Sequence, residues 1–464
     1  MNLIHVSKSI LRSALQIYLG QIATIAFLFL DTVTVAHYSV LDTSILALSE
    51  TIYASVYYCL SGVLMSLAPL CSNRLGANDV KGVGEEVIQA MYLWLVLSVL
   101  GVAALLFPLP LLRAAGASPV FFDGVQHCLK VLAFALPFNL LFSIYTVFLT
   151  AIGRPGKASV IRVVALALKI PMNIVLVFGL WGLPWRGAMG CVVATTANCV
   201  LMVIAASVWT WQDHAIRKFF SGISLLPLPR RRVIFTQLQL GVPIGVGYFV
   251  EISGYTLMAL FLARFGPTTV AAHQVASNLG SICYMLPMSI GFAGSALVGQ
   301  ALGRQDALAA QQVARLTAVL ASVFSLTIGI AIWGLRQPLI GIYTRDQAVF
   351  GVAMPLLTIV AFYQFFDALQ ISTVFSLRAY QVTLAPMMVY IICLWGVGLG
   401  GGCWLAFGHT TLGLLLGPAN SFWVAATIGL CAAGLAFSVL LQRAVRRSTA
   451  TALGFASGPT SSRA

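Results

Sequence analysis

Two carboxylates stand inside long apolar stretches of this 464-residue sequence, where an ionised group is costly. Glu251 lies within the run that starts at Gly241, and Asp367 within the run that ends at Leu377. Residues three and four apart share one face of a helix. Tyr248, Glu251 and Tyr255 are spaced in this way, and so are Tyr363, Gln364, Asp367 and Gln370. Between them lies a polar stripe of Gln274, Ser277, Asn278 and Ser281, continued by Tyr284, Met285 and Met288. A hard cation stripped of water needs several oxygen ligands, and paired carboxylates with hydroxyls and carbonyls supply them. The pattern predicts a site at Glu251 and Asp367 for a hard cation, or for a proton if the two carboxylates approach each other closely. Tyr284 and Tyr363 are placed to stack on an organic cation. Tyr248, Gln274, Asn278, Ser281, Met285, Met288 and Gln370 are read as walls of a substrate cavity.

Each of these residues also has a structural reading. Either carboxylate can pair with a backbone donor, the serine and glutamine stripe can join helices, and the two methionines can be packing. His273, alone near a helix start, reads as hydrogen-bonded structure rather than a metal ligand.

The elements that must position these groups are membrane helices. The chain is 60% hydrophobic and 8% charged, with a mean hydropathy of +0.96, whereas soluble domains carry about a quarter charged residues. Apolar runs long enough to cross a bilayer fall near 13–36, 45–72, 86–111, 127–150, 159–180, 187–211, 234–264, 268–301, 310–334, 349–377, 383–407 and 419–442. The expectation is an all-α polytopic membrane protein of twelve transmembrane helices, with little left over for any soluble domain. No cofactor is expected beyond the coupling ion.

The net charge of +14 does not form a nucleic-acid patch. Its basic residues fall at both termini and in alternate connectors, from Lys8 and Arg12 through Arg74, Arg154, Arg230, Arg304 and Arg378 to Arg463. The opposite connectors hold only Arg113, Lys130, Arg186, Arg264, Arg336 and Arg345. By the positive-inside rule both termini are cytoplasmic. No cleavable signal is visible. The nine cysteines lie singly in or beside apolar runs and read as small hydrophobes.

The sequence repeats itself. Leu75-Gly76-Ala77-Asn78-Asp79 closes the second run and Leu302-Gly303-Arg304-Gln305-Asp306 closes the eighth, about half the chain apart. Such a repeat argues for two pseudo-symmetric six-helix lobes. They are expected at 1–211 and 234–442, joined by a cytoplasmic linker at 212–233 and followed by a disordered tail at 443–464. The linker's Arg230, Arg231 and Arg232 read as a solvated anchor facing lipid headgroups.

Several segments resemble the MATE (multidrug and toxic compound extrusion) transporters, in their NorM-like branch. They are Leu30-Asp31-Thr32, Gly153-Arg154-Pro155, Ile170-Pro171-Met172-Asn173, Pro243 to Glu251, Val270-Ala271-Ala272-His273-Gln274, Met285-Leu286-Pro287, and Tyr363-Gln364 with Asp367 and Ser376-Leu377-Arg378. The resemblance covers almost the whole chain. It implies secondary active efflux of amphipathic, often cationic organic compounds in exchange for Na⁺ or H⁺, by a monomer in the bacterial inner membrane, through alternating access of the two lobes. The alternative is export of an endogenous metabolite, or a lipid-linked oligosaccharide flippase of the same superfamily. Flippases tend to have a strongly basic cavity, whereas the intramembrane charges here are mostly acidic. An intramembrane enzyme needs a nucleophile with its base or clustered metal ligands, and the six histidines are scattered.

In the resemblance Asp31 is a proton or cation site held by asparagines of the fifth helix and a threonine of the sixth. Asn173 and Thr195 match those partners, and Gln21 lies on the face of Asp31. Lys169 departs from the pattern, standing where relatives usually have asparagine, and Glu50 stands where they usually have a small neutral residue. Thr24 replaces a glutamine common in relatives. Lys169 and Asn173 are four apart on one face, so Lys169 is expected to pair with Asp31, Glu50 or both, unless it snorkels to the lipid headgroups. A paired Asp31 stays charged and makes a poor proton carrier, which leaves coupling to Glu251 and Asp367.

Overall fold

In hydrocarbon every backbone N–H and C=O must find an internal partner, so a chain this apolar folds as helices. The computed structural model describes residues 3–107, 119–182, 184–221, 228–408 and 411–452, and no strand occurs among them. Twelve helices in the described residues are long and apolar enough to span a membrane: α1 (Ile4–Ala36), α2 (Val40–Gly76), α3 (Val80–Leu106), α4 (Phe121–Ala151), α5 (Gly156–Val177), α6 (Gly187–Gln212), α7 (Arg231–Phe265), α8 (Pro267–Gly303), α9 (Ala307–Gly334), α10 (Gln347–Ala379), α11 (Leu384–Phe407) and α12 (Pro418–Ala450). Their order follows the apolar runs.

Three differences from the expected boundaries have physical causes. The second helix breaks between Leu64 and Leu67, where the Ser66 hydroxyl donates to the Val63 carbonyl and competes with the helix ladder. The eleventh widens into a π-helix over Ile391–Gly400, next to a glycine-rich stretch that allows it. The last helix continues to Ala452, so residues 443–452 of the expected disordered tail are helical. Arginine has high helix propensity and tolerates the water layer. The remainder of that tail, together with Arg113, Pro227, His409 and Arg463, lies outside the described residues.

The chain forms two compact units, one of residues 1–15, 72–78 and 246–464, the other of residues 16–71 and 79–245. In the first, α10 packs against α8, α9 and α12, and the π-helical part of α11 lies on α12. In the second, α4 packs against α2, α3 and α6, and α5 against α6.

The Leu-Gly-x-x-Asp repeat marks a close helix crossing in the first unit. A Cβ at Gly76 would strike the Gln300 backbone, and one at Gly303 would strike the Asn73 carbonyl. Both segments then turn through a left-handed residue, Asn78 (φ 58°) and Gln305 (φ 61°). Each ends on an aspartate that caps the next helix: Asp79 accepts from the Gly82 N–H and Asp306 from the Ala309 N–H, both at 2.8 Å.

The described end of the linker is docked rather than free. Gln89 of α3 donates to the Leu228 carbonyl at 3.3 Å and accepts from the Arg230 N–H at 2.8 Å. Arg230 itself pairs with Glu85, so this arginine is held by a carboxylate and not only by solvent or lipid.

Candidate functional site

In the first unit, α7 and α10 bring Glu251 and Asp367 into mutual electrostatic range. Asp367 is 3% exposed and Glu251 half-buried. The Gln370 side chain, one turn further along α10, donates to Asp367 Oδ1 at 3.0 Å, and the Tyr390 hydroxyl of α11 donates to Gln370 Oε1 at 2.7 Å. Gln370 therefore braces the carboxylate, with its donor and acceptor both used, instead of lining an open substrate wall. Tyr363 hydrogen-bonds Tyr255 and packs edge-on against Trp423, with ring centroids 5.3 Å apart. The buried Tyr284 hydroxyl faces Glu251. Glu251, Tyr255, Tyr363 and Trp423 line a small cavity of about 50 Å³. That is room for an ion with a few waters.

Among the described residues neither carboxylate forms an ion pair with a basic side chain. Arg378 acts on Glu251 at longer range, but its guanidinium donates to the Tyr248 hydroxyl at 3.0 Å and lies 4.5 Å over the Phe375 ring. Tyr248 is thus an arginine partner rather than a free cavity wall. No group of three His, Cys, Asp or Glu side chains gathers anywhere among the described residues. Two carboxylates with tyrosine hydroxyls form an all-oxygen donor set, which suits a hard cation or a proton and not a transition metal.

The stripe on α8 divides. Gln274 and Ser281 are exposed, with Gln274 donating to Asn278 at 3.2 Å, and Met285 and Met288 are half-buried. These residues form a semi-exposed polar and thioether face, separate from the buried carboxylate shell. His273 is structural. Trp423 donates to its Nδ1 at 3.2 Å, and because an indole N–H only donates, Nδ1 accepts and Nε2 faces the Ser277 hydroxyl at 3.2 Å.

The second unit holds a different arrangement. Lys169 Nζ lies 2.6 Å from Asp31 Oδ2, and the Asn173 amide donates to Oδ1 at 2.7 Å. Asp31 is 1% exposed and Lys169 2% exposed, so Lys169 does not snorkel. Its ammonium also sits 5.1 Å over the Phe27 ring. Glu50 interacts with both members of the pair without reaching ion-pair distance of Lys169. Thr195 does not hold Asp31, because its hydroxyl donates to the Cys191 carbonyl one turn back in its own helix. Gln21 is half-buried and joins no hydrogen bond of this network, and Thr24 bonds the Gly20 carbonyl.

Sequence reading missed Tyr390 and Trp423 as shell residues. Each is a single aromatic in an apolar run, with no periodic partner to mark it. It also missed Glu86 near the start of α3, which is 4% exposed and accepts from Gln237 at 2.9 Å.

The MatE family model matches residues 17–175 and 243–404. The chain is 33% identical over 431 residues to a probable multidrug resistance protein NorM of Aromatoleum aromaticum, covering 93% of each chain. It is 30% identical over 448 residues to the multidrug resistance protein PmpM of Pseudomonas aeruginosa, covering 95% of this chain and 92% of the relative. Its fold matches the eukaryotic MATE transporter AtDTX14 (TM-score 0.86, 17% identity, 97% and 99% coverage) and the Vibrio cholerae MATE transporter VcmN in its bent form (TM-score 0.83, 16% identity, 96% and 98% coverage). With this match over most of its length, on a twelve-helix fold, the chain belongs to the MatE family of membrane transporters.

Proposed function

We propose that the protein is a multidrug efflux antiporter that moves amphipathic, often cationic organic compounds out of the cell in exchange for Na⁺ or H⁺, through alternating access. The observation that carries this is the contrast between its two carboxylate sites. Asp367 is buried and Glu251 half-buried within reach of each other's charge, and among the described residues no basic side chain is in ion-pair contact with either, so the two oxygen-rich groups are open to a cation or proton. Asp31 already holds the Lys169 ammonium. Coupling then resides in the first unit. Tyr284 and Tyr363 supply neutral oxygens beside the carboxylates, while the semi-exposed face of α8 meets substrate. Soft, flexible Met285 and Met288 suit a polyspecific surface. The names of the relatives, as multidrug resistance proteins, support the substrate class. The arginine asymmetry supports an orientation with both termini cytoplasmic, and the bacterial relatives support an inner-membrane location; the protein is proposed to act as a monomer.

The test is efflux of a fluorescent organic cation from proteoliposomes, driven separately by a Na⁺ gradient and by a pH gradient. One gradient is expected to drive wild type and to fail with Glu251→Gln. Unimpaired gradient-driven efflux by Glu251→Gln would remove the coupling site from this carboxylate. If neither gradient moves any tested cation, the endogenous-metabolite or flippase reading takes over.

A further inference from the structure

Away from both carboxylate sites, the first unit carries a cavity of about 420 Å³ where α9, α10 and the extended end of α12 meet. Its polar lining comes from three helices: Gln311 and Arg315 from α9, Thr373 from α10, and Ser438, Gln442 and Arg446 from α12. No acidic residue lines it. Both arginines are exposed, and neither forms an ion pair with a described carboxylate. Two guanidinium groups from separate helices thus frame one hollow, whose lining also includes Leu369 and Val445, and no described carboxylate pairs with them. Guanidinium forks match the oxygens of a phosphate, and amide and hydroxyl neighbours complete its hydrogen bonding.

The depth of the hollow distinguishes a lipid from a free anion. Arg315 is eight residues into α9, about 12 Å along the helix axis, so it lies two turns inside the helix rather than in a loop. One turn deeper on its face is Val319, 56% exposed. On α12, Leu435 and Val439 stand two turns before Gln442 and Arg446 on the same faces and are also exposed. The polar hollow therefore continues into an apolar surface on the same two helices. This end of the unit, where α8, α10 and α12 finish, is rich in arginine, which the positive-inside rule assigns to the cytoplasmic leaflet.

We propose that this cavity binds the headgroup of an anionic phospholipid, with its phosphate between Arg315 and Arg446 and its acyl chains along Val319, Leu435 and Val439. Basic pockets between membrane helices on the cytoplasmic side are suited to such headgroups. The lipid would tie α9 to α12, both of which pack on the helix that carries Asp367.

The test uses the full-length protein purified in detergent and titrated with phosphatidylglycerol, phosphatidylcholine or inorganic phosphate, with bound lipid counted by native mass spectrometry and stability followed by thermal unfolding. Phosphatidylglycerol is expected to bind and raise Tm, and phosphatidylcholine and inorganic phosphate are not. Each of Arg315→Gln and Arg446→Gln is expected to weaken phosphatidylglycerol by about five-fold and the pair together by about thirty-fold. Arg443→Gln, in the neighbouring cavity on the other side of α12, should leave it unchanged. The side chains are exposed, so the single variants keep the fold and report even if the double variant does not. Equal binding by wild type and all variants overturns the site. Phosphatidylcholine binding as tightly as phosphatidylglycerol overturns its anionic preference, and inorganic phosphate raising Tm as much overturns the lipid in favour of a free anion.

Discussion

Lys169 is the residue whose chemistry departs furthest from an apolar helix, and its surroundings define what it can tolerate. Taking one partner from a buried ion pair leaves an uncompensated charge, at a cost of about 3–5 kcal/mol, whereas removing both is often nearly neutral. The pair here has a third member in Glu50, a neighbouring acid that does not reach ion-pair distance of the ammonium. Lys169→Met strands the Asp31 charge beside a second acid. Asp31→Asn leaves Lys169 with Glu50 as the acid able to ionise and balance it. Lys169→Met is therefore predicted to lose about 3–5 kcal/mol of unfolding free energy, Asp31→Asn clearly less, and the double variant less than Lys169→Met alone. Denaturant unfolding of the purified protein measures this, and the reverse order for the two single variants would contradict the arrangement. The pair itself was legible in the sequence, since Lys169 and Asn173 lie four apart on one face and both reach Asp31. The fate of Thr195 was not. A threonine in a helix can always spend its hydroxyl on the carbonyl one turn back, and spacing alone does not tell which acceptor wins.

At the scale of elements, the glycines of the repeat set how closely two helix ends can cross. Gly76 meets the Gln300 backbone and Gly303 the Asn73 carbonyl, and these are main-chain atoms that cannot rotate aside. Gly76→Ala and Gly303→Ala are each predicted to lower stability by about 1–3 kcal/mol. Gly351→Ala, in a helix with nothing within 4 Å of the added methyl, should gain up to about 1 kcal/mol. Thermal unfolding of the three variants checks the contrast, and a neutral Gly303→Ala would mean that the crossing relaxes freely. The order of all twelve spans was readable because apolar run length is imposed by the bilayer. Their ends were less so. The last helix outruns its apolar run by ten residues through Arg443, Arg446 and Arg447, since a helix need not stop where the hydrocarbon does. The recruitment of Tyr390 from α11 and Trp423 from α12 into the carboxylate shell left no trace in the sequence. It follows from how those helices pack, not from a period within either one.

For the whole molecule, the two carboxylate sites predict how transport draws on the membrane gradients. A charge that crosses the membrane gains about 2.3 kcal/mol per 100 mV, so the number of coupling cations shows in the response to potential. If Lys169 remains the fixed partner of Asp31, only the Glu251 and Asp367 site takes up a transported cation. Exchange of one monovalent cation for one monocationic substrate then moves no net charge. Efflux of such a substrate should respond to the chemical gradient of the coupling ion and be nearly indifferent to an imposed potential. Asp31→Asn should keep both behaviours, with rates within about three-fold of wild type, because it alters a site that carries no exchangeable ion; Asp367→Asn should abolish ion-driven efflux, a loss of at least about 100-fold if the carboxylate acts in the coupled step itself. Proteoliposomes clamped at 0 and at −100 mV with a potassium diffusion potential separate these cases. Normal folding with near-complete loss of efflux in Asp31→Asn would place a second exchanging ion in the unit that holds Lys169, and a steep dependence on potential in wild type would show that more than one cation moves per substrate.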